Sequence, residues 1–191
     1  MSTIRKVLHK NVTPITQNYS TTCWYASLQM IYNWSGKSKA SVKPRIVKSQ
    51  TKVQRDSSPP VADFQHMFNN GIGKRDLVPV ARALGLEWGG GDNTTFDIQP
   101  LLYVLHNYGP IWVAGSWHQS PHVIVVIGAK AAKVPMIWYL NPWSVHGGMD
   151  PIETQLNWLN KGRGTWKNWH ASHMFNKFAG KKRPMSDFAK E

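Results

Sequence analysis

The sequence predicts an α+β fold in which N-terminal helices pack against a C-terminal antiparallel sheet. Two observations predict it: helix-type apolar patterns come before Gly109-Pro110, and β-branched strand patterns come after it. Helices followed by a separate group of strands are the order expected of an α+β protein. Because the 191 residues show no internal repeat and no second domain, we expect one domain that spans residues 1–191.

Four helices are expected in the N-terminal half, at residues 23–34, 61–69, 77–85 and 98–108. Thr22, Asp76 and Asp97 precede three of these helices and can cap their first turns. The first helix, CWYASLQMIYNW, carries apolar residues around most of its circumference. This pattern indicates a mostly buried helix.

Three strands are expected after Gly109-Pro110, over residues 111–115, 122–128 and 136–140. The second contains the run VIVVI, whose β-branched side chains favour a buried strand. The third is followed by Asn141-Pro142, which ends it. These strands follow one another closely, so we expect them to form an antiparallel group.

The basic residues are concentrated in two segments of a chain whose net charge is +13. Residues 35–60 hold seven Lys or Arg against the single acid Asp56, and their Ser and Pro content predicts an exposed loop or insertion. Eight more follow from Lys161, and residues 180–191 are expected to form a basic tail. Such a charge favours acidic partners, which include nucleic acid, anionic lipid and acidic protein.

The segment WKNWHASHMFNKFAGKKRP interleaves aromatic and basic residues. We interpret it as a helix with an apolar stripe of Trp166, Trp169 and His173, although nucleic acid bases could also stack on such rings. The pair His170-x2-His173 has no accompanying Cys pair and no HExxH motif, so we expect no zinc site and no cofactor.

Neither a membrane span nor a signal peptide is visible. No apolar run approaches the ~20 residues that a membrane helix needs. The N-terminus, MSTIRKVLHKNVTP, lacks an apolar core and a small-residue cleavage site. We therefore expect synthesis in the cytoplasm, and export, where it occurs, by a secretion system that needs no cleavable signal.

Cys23 is the single cysteine, so no disulfide forms within the chain. It is either a small buried apolar residue or a nucleophile. Its place at the expected start of the first helix favours the nucleophile, because a helix N-terminus lowers the pKa of a thiol. A nearby imidazolium would lower that pKa further.

His122, at the start of the β-branched strand, is the preferred base for this thiol. His118 and His146 are the alternatives. Asn141, at the end of the next strand, can fix the tautomer and orientation of His122 across the hairpin. The backbone N–H of Cys23 and the side chain of Gln17 can stabilise a developing oxyanion.

These residues resemble the motifs of the papain family of cysteine peptidases. The matching motifs are Gln17-x5-Cys23-Trp24-x-Ala26, His122 at the start of a β-branched strand, and Asn141-Pro142-Trp143. The resemblance implies a papain-like fold with a catalytic Cys, His, Asn and Gln, in that family's order. It also implies that Trp143 shields the His–Asn pair from water and that Trp24 and Trp143 line the substrate site.

The compact size and the Leu-rich helix before Gly109 resemble the C39-like branch, the double-glycine peptidases. The orienting residue is commonly Asp in that branch, whereas this chain has Asn141. The resemblance implies a cysteine protease that cleaves after small residues such as Gly-Gly. The chain also resembles papain-like bacterial effector toxins, which implies a cytosolic protein target and a cognate immunity protein.

Two other functions stay open at this point. The same thiol could serve a peptidoglycan amidase, an acyltransferase or a deamidase, although amidases of the NlpC/P60 type usually carry Asp-Cys-Ser-Gly at the nucleophile. A non-catalytic module that binds nucleic acid or acidic protein through its basic surface is the third possibility. Retention of Cys23, His122, Asn141 and Gln17 argues against it.

Overall fold

A computed structural model describes residues 4–53, 62–89, 95–117, 120–143, 150–164 and 173–176. Within them the helices are α1 (Cys23–Trp34), α2 (Val42–Val53), α3 (Phe64–Asn70), α4 (Lys74–Leu84), α5 (Ile98–Tyr108) and α6 (Leu156–Gly164), and a 3-10 turn covers Lys39–Ser41. The strands are β1 (Lys6–Leu8), β2 (Leu86–Trp88), β3 (Ile111–Trp117), β4 (Ser120–Lys130), β5 (Met136–Leu140), β6 (Ile152–Gln155) and β7 (His173–Asn176). The predicted α+β order is confirmed.

Among the described residues the strands form one antiparallel sheet. Its order is β2-β7-β3-β4-β5-β6, and β1 pairs with the far end of β4. The central β3–β4 hairpin pairs Ile111 with Val126 and Gly115 with His122. Strand β5 then pairs with β4 so that Leu140 lies opposite Val125. The start of β4 and the end of β5 therefore lie close together.

Strand β4 is buried on both faces. Val123, Val125 and Ile127 contact a core shared with α1 to α4, whereas Ile124 and Val126 contact a second core shared with α5 and α6. Successive side chains of a strand point to opposite faces, so this alternation is the expected geometry. It explains why the sequence of β4 is continuously apolar rather than alternating.

Helix α1 is largely buried, as predicted, and it starts at Cys23. Thr22 does not cap it through its side chain. The Thr22 hydroxyl is used in the preceding turn instead, where it donates to the Tyr19 carbonyl at 2.9 Å and accepts from the Tyr19 amide at 3.1 Å. The turn before the helix is thus closed by the residue that was expected to cap the helix.

Helix α4 starts at Lys74, earlier than predicted. Asp76 is not its N-cap but lies inside the first turn, where its carboxylate accepts from the amides of Gly73 and Ala62, each at 3.0 Å. Burial raises the pKa of this carboxyl, and these two hydrogen bonds lower it in part. Asp97 precedes α5 as expected, but its side chain makes no capping hydrogen bond.

The prediction of an exposed loop over residues 35–60 is wrong for the described part of that segment. Residues 39–53 form the 3-10 turn and α2. Val42 and Ile46 are fully buried and Gln50 is 4% exposed, so one face of α2 packs into the core at helical spacing. Whether the segment is an insertion stays a prediction.

The prediction of a C-terminal helix is wrong at residues 173–176, which form strand β7 between β2 and β3. His173 pairs with Val113 there, because the open edge of β3 offers backbone hydrogen bonds. Other parts of this prediction lie outside the described residues, namely Trp166, Trp169, His170 and the tail at 180–191. No helix among the described residues is long and apolar enough to cross a membrane.

Gly109 closes α5 with φ +85° and ψ −157°, a conformation that is nearly restricted to glycine. We expect Gly109→Ala to destabilise the fold, because its Cβ would lie 2.0 Å from Cη2 of Trp34. The combined strain and overlap predict a loss of about 3–5 kcal/mol in the free energy of unfolding, measured by urea denaturation.

Gly71 provides the matched control, since it closes α3 with φ +89° and ψ 164° and a Cβ there meets nothing within 4 Å. We expect Gly71→Ala to lose only the strain component, about 1–3 kcal/mol. Equal losses in the two variants would contradict the assignment of the difference to Trp34.

Candidate active site

Cys23 lies at the first residue of α1, where that helix crosses the central strands. Trp112 of β3 donates its indole N–H to the Trp24 carbonyl at 3.1 Å, and the Ser27 hydroxyl lies 3.5 Å from the Val123 carbonyl of β4. These contacts fix the first turn of the helix against the start of β4. Cys23 is consequently only 8% exposed.

The Cys23 sulfur lies within reach of the backbone amide of Val123, the residue after His122. Burial raises the pKa of the Cys23 thiol to about 11, and the amides of Val123, Trp24 and Cys23 itself act in the opposite direction. The sequence analysis expects a lowered pKa from the helix N-terminus. In the structure, the loss of hydration outweighs that effect, so the resting thiol is protonated at neutral pH.

His122 and Asn141 meet as the sequence predicts. Nε2 of His122 lies 2.7 Å from Oδ1 of Asn141, and both residues are buried. An amide oxygen can only accept a hydrogen bond, so Nε2 must carry the proton. Nδ1 is then the basic nitrogen of the neutral ring. The register of β4 with β5 makes this contact possible, because Asn141 follows the Val125–Leu140 pair and reaches His122 diagonally.

Trp143 supports this pair from the loop after β5. Its backbone N–H donates to Oδ1 of Asn141 at 2.9 Å, which fixes the amide plane. Its ring centroid lies 5.9 Å from that of His122, at an angle of 52°. The half-buried indole therefore lies beside the imidazole. Its shielding role stays a prediction.

Gln17 lies beside the same loop, because its backbone N–H donates to the Pro142 carbonyl at 2.8 Å. Its side-chain Nε2 donates to the Tyr19 carbonyl at 2.8 Å, and this bond occupies one of the two amide hydrogens. The second hydrogen is available to a ligand. Oε1 of Gln17 is buried with no hydrogen-bond partner among the described residues, a costly arrangement that is typically retained at functional sites.

The turn between Gln17 and Cys23 was not singled out from the sequence. Its Thr21 hydroxyl donates to the Phe68 carbonyl at 2.8 Å, and the Tyr19 ring packs edge-on against the Phe68 ring. Helix α3 thus supports the turn that carries the nucleophile. The position of Tyr19, four residues before Cys23, was the sequence signal available.

Two depressions flank this turn. A small cavity of about 120 Å³ is lined by Thr16, Gln17, Asn18, Thr22, Tyr25, Ala26, Gln29 and Phe68. A wider groove of about 510 Å³ is lined by Tyr19, Ser20, Thr21, Gln65, Phe68 and Asn69. Among the described residues, neither lining contains a charged side chain. A substrate residue that enters them is therefore favoured when its side chain is neutral.

Trp24 is not a substrate-binding residue, and this prediction is wrong. Its side chain is 1% exposed, and its indole N–H donates to the Met67 carbonyl at 3.2 Å inside the helical core. At the second position of a buried helix, this ring faces α3 rather than the surface. The alternative bases His118 and His146 lie outside the described residues.

The pKa of the thiol gives a test that needs no substrate. Because Cys23 is the only cysteine, alkylation by iodoacetamide reports on one site. We expect the alkylation rate of the folded protein to keep rising above pH 9, since half ionisation is reached only at about 11. The rate is measured by mass spectrometry of the intact protein. A plateau that begins below pH 7 would instead indicate a preformed thiolate–imidazolium pair.

The fold is similar to a solved bacterial peptidase structure. The peptidase domain of Streptococcus ComA, a bi-functional ABC transporter involved in a quorum-sensing pathway, superposes with a TM-score of 0.51. The match covers 87% of this chain and 100% of that domain, at 12% sequence identity. This likeness supports the C39-like, papain-type fold. No curated protein matches the chain at sequence level.

The family assignment comes from the sequence model of the papain-like cysteine protease AvrRpt2, which matches residues 7–157. The matched range includes the helix start at Cys23, the central hairpin and the His122–Asn141 pair. It covers more than half of the chain. The chain therefore belongs to this family of papain-like cysteine proteases and is a cysteine peptidase.

Proposed function

We propose that the protein hydrolyses peptide bonds through an acyl-enzyme on Cys23, with His122 as its base and Asn141 as the residue that positions His122. The observation that carries the proposal is the 2.7 Å contact between Nε2 of His122 and Oδ1 of Asn141. This contact fixes the ring tautomer, so that a basic nitrogen serves the thiol at the start of α1. The family match supports the reaction class.

The reaction proceeds in two halves. The Cys23 sulfur attacks the carbonyl carbon of the scissile peptide while its proton moves to Nδ1 of His122. The carbon–nitrogen bond then breaks, and His122 donates that proton to the leaving amine. A water molecule next attacks the thioester, His122 accepts a proton from it, and the carbon–sulfur bond breaks as Cys23 regains its proton.

A protonated resting thiol makes the base essential at the moment of attack. With a thiol pKa of about 11, the spontaneous thiolate fraction at neutral pH is very small. The attacking thiolate is therefore formed by proton transfer to His122. Exclusion of water by the burial of Cys23 and His122 also strengthens the electrostatic interactions of the transition state.

The oxyanion is held by the backbone N–H of Cys23 and by the second amide hydrogen of Gln17. The bond from Gln17 Nε2 to the Tyr19 carbonyl supports this role, because it holds the amide in place before substrate arrives. The bond from the Gln17 backbone to Pro142 ties the same residue to the loop after β5. Donors fixed in this way need no reorganisation during the reaction.

Cleavage after small residues such as Gly-Gly is the proposed specificity. The narrow approach to a thiol that is 8% exposed supports small residues next to the scissile bond. The groove beside Tyr19 supports substrate residues with neutral side chains further from the scissile bond. Trp143 covers the His122 side of this approach. Sequencing of new termini in a digested proteome tests this, and frequent bulky residues at the cleaved positions would contradict it.

In the cell, we propose a bacterial effector that cleaves a cytosolic protein of a target cell, after delivery by a secretion system. A cognate immunity protein that covers the cleft is the expected partner of such an effector in the producing cell. The net charge of +13 supports an acidic or DNA-associated protein target, because opposite charge raises association rates.

Asn141→Ala tests the positioning role. Removal of the acceptor frees the His122 ring, so we expect kcat to fall about 100- to 1,000-fold while KM changes little. Asn141→Asp keeps an acceptor oxygen and should restore most of the rate. The readouts are kcat and KM on a cleaved peptide.

Asn107→Ala is the control for the loss of an Asn side-chain hydrogen bond, since Nδ2 of Asn107 donates to the Tyr103 carbonyl at 2.8 Å on α5, away from Cys23. We expect its activity to stay near wild type. Similar losses in Asn141→Ala and Asn107→Ala would point to general destabilisation and against a positioning role.

The experiment that tests the whole proposal compares wild type with Cys23→Ala during expression in a bacterial cytoplasm. We expect growth inhibition and a discrete set of new protein termini from wild type, and neither from Cys23→Ala. Mass spectrometry of protein termini identifies the substrate. Growth inhibition without new termini, but with a deamidated or acylated protein, would identify the reaction as deamidation or acyl transfer.

Two other outcomes would redirect the proposal. Lysis that requires export to the periplasm and Cys23 would favour a peptidoglycan amidase. Equal effects of wild type and Cys23→Ala would favour a non-catalytic binding module.

A further inference from the structure

A basic surface lies at the far end of α1 from Cys23. It consists of Lys37 in the turn after α1, Lys39 in the 3-10 turn, and Lys43 and Arg45 at the start of α2, and is called the basic patch below. Lys39, Lys43 and Arg45 are exposed and Lys37 is half-buried. Lys37 and Arg45 lie over Tyr32, nine residues after Cys23 on α1 and so roughly 13 Å from it along the helix axis. Lys43 lies over Phe64, whose ring contacts that of Tyr25 in the first turn of α1.

Aromatic rings hold three of the four cations in place. The Lys37 ammonium lies 5.0 Å and the Arg45 guanidinium 5.8 Å from the centroid of the Tyr32 ring. The Lys43 ammonium lies 5.2 Å from the Phe64 ring. Cation–π contacts of this kind restrict long side chains that would otherwise be mobile. These contacts therefore favour one position for each of the three cations.

Few acidic residues lie near the basic patch among the described residues. The first acidic residue of the sequence is Asp56, and α2 has no acid in its first turn, where the helix dipole adds further positive potential. Asp63 and Asp76, on the neighbouring helices α3 and α4, accept hydrogen bonds from backbone amides. Among the described residues, no carboxylate pairs with Lys39, Lys43 or Arg45.

The cations also act on one another. The pKa of Lys37 is lowered mainly by burial, and the charge of Arg45 lowers it further. Like charges held together against their repulsion are unfavourable in the isolated protein. An anionic partner would relieve this repulsion.

We propose that the basic patch is a docking site for an acidic segment of a partner protein. The Tyr32 ring is 1% exposed and is used by Lys37 and Arg45, so it offers no surface on which nucleic acid bases could stack. Val47, one turn after Lys43, is 40% exposed and supplies an apolar contact beside the charges. An acidic segment with apolar residues matches both features, whereas a phosphate backbone matches only the charge.

This docking site is independent of the proposed reaction, so binding is measured in the Cys23→Ala protein. The probe is a fluorescein-labelled peptide of Glu residues with interspersed Leu, and anisotropy is followed at low and high salt. We expect saturable binding that weakens with salt. In Lys43→Glu/Arg45→Glu we expect Kd to rise about tenfold or more, because two attractions become repulsions.

The matched control is Lys133→Glu/Lys161→Glu, which reverses two exposed charges outside the patch. Lys133 lies between β4 and β5, and Lys161 lies on α6. The Kd of this control should stay within about twofold of the parent, since screening removes distant charges. Lys43→Gln/Arg45→Gln, which only neutralises the patch, should give an intermediate Kd. Circular dichroism establishes that each variant is folded.

Three outcomes would overturn the proposal. Equal losses in Lys43→Glu/Arg45→Glu and Lys133→Glu/Lys161→Glu would mean attraction by net charge alone. Tighter binding of a short DNA duplex, or of vesicles that contain phosphatidylserine, with loss only in the patch variants, would assign the patch to that partner. Absence of saturable peptide binding at low salt would exclude the docking site.

Discussion

The burial of β4 on both faces is the constraint on which the rest of the structure depends. The side chains of Val123, Val125 and Ile127 require a core built by α1 to α4, and those of Ile124 and Val126 require a second core built by α5 and α6. A strand covered on both sides cannot shift by one residue without moving every side chain to the wrong face. The register of β4 with β3 and β5 is thereby fixed, and with it the place of His122.

The candidate site is a consequence of that fixed register. Helix α1 must pack on the Val123 face, which brings its first residue, Cys23, to the start of β4. Strand β5 must end at Leu140, which leaves Asn141 within reach of the imidazole. The three side chains come from segments that are far apart in sequence, but each follows from a packing requirement of the same strand. Their geometry therefore rests on the core rather than on the loops around it.

Local sequence patterns were sufficient to predict the structure where a residue type has a single structural role. Gly85 and Gly109 adopt positive φ at the ends of α4 and α5, and the helix ends were predicted from them. The run VIVVI could only be a buried strand. The Cys, His and Asn motifs were found because each lies at the start or end of such an element, where its position in space is well defined.

Other elements depend on distant partners that the sequence does not reveal. Strands β1 and β2 are three residues long and exist because β4 and β7 offer backbone hydrogen bonds to them. In α2, the apolar stripe of Val42 and Ile46 was present in the sequence, but the Lys, Pro and Arg residues between them made it hard to recognise. Trp24 was predicted to contact the substrate because it follows Cys23 in the motif. The helical period instead directs its side chain into the core.

The basic side chains and the candidate catalytic residues occupy different parts of the molecule. The candidate site is built from a thiol, an imidazole, two amides and an indole, and the described residues that line the groove beside it are all uncharged. The net charge of +13 is carried elsewhere. Lys37 and Arg45 of the basic patch lie beside Tyr32, roughly 13 Å from Cys23 along α1, which exceeds the Debye length of about 8 Å at physiological ionic strength. The charges can therefore act on the encounter with a partner, while the burial of Cys23 and the Asn141-bound imidazole govern the bond-making steps.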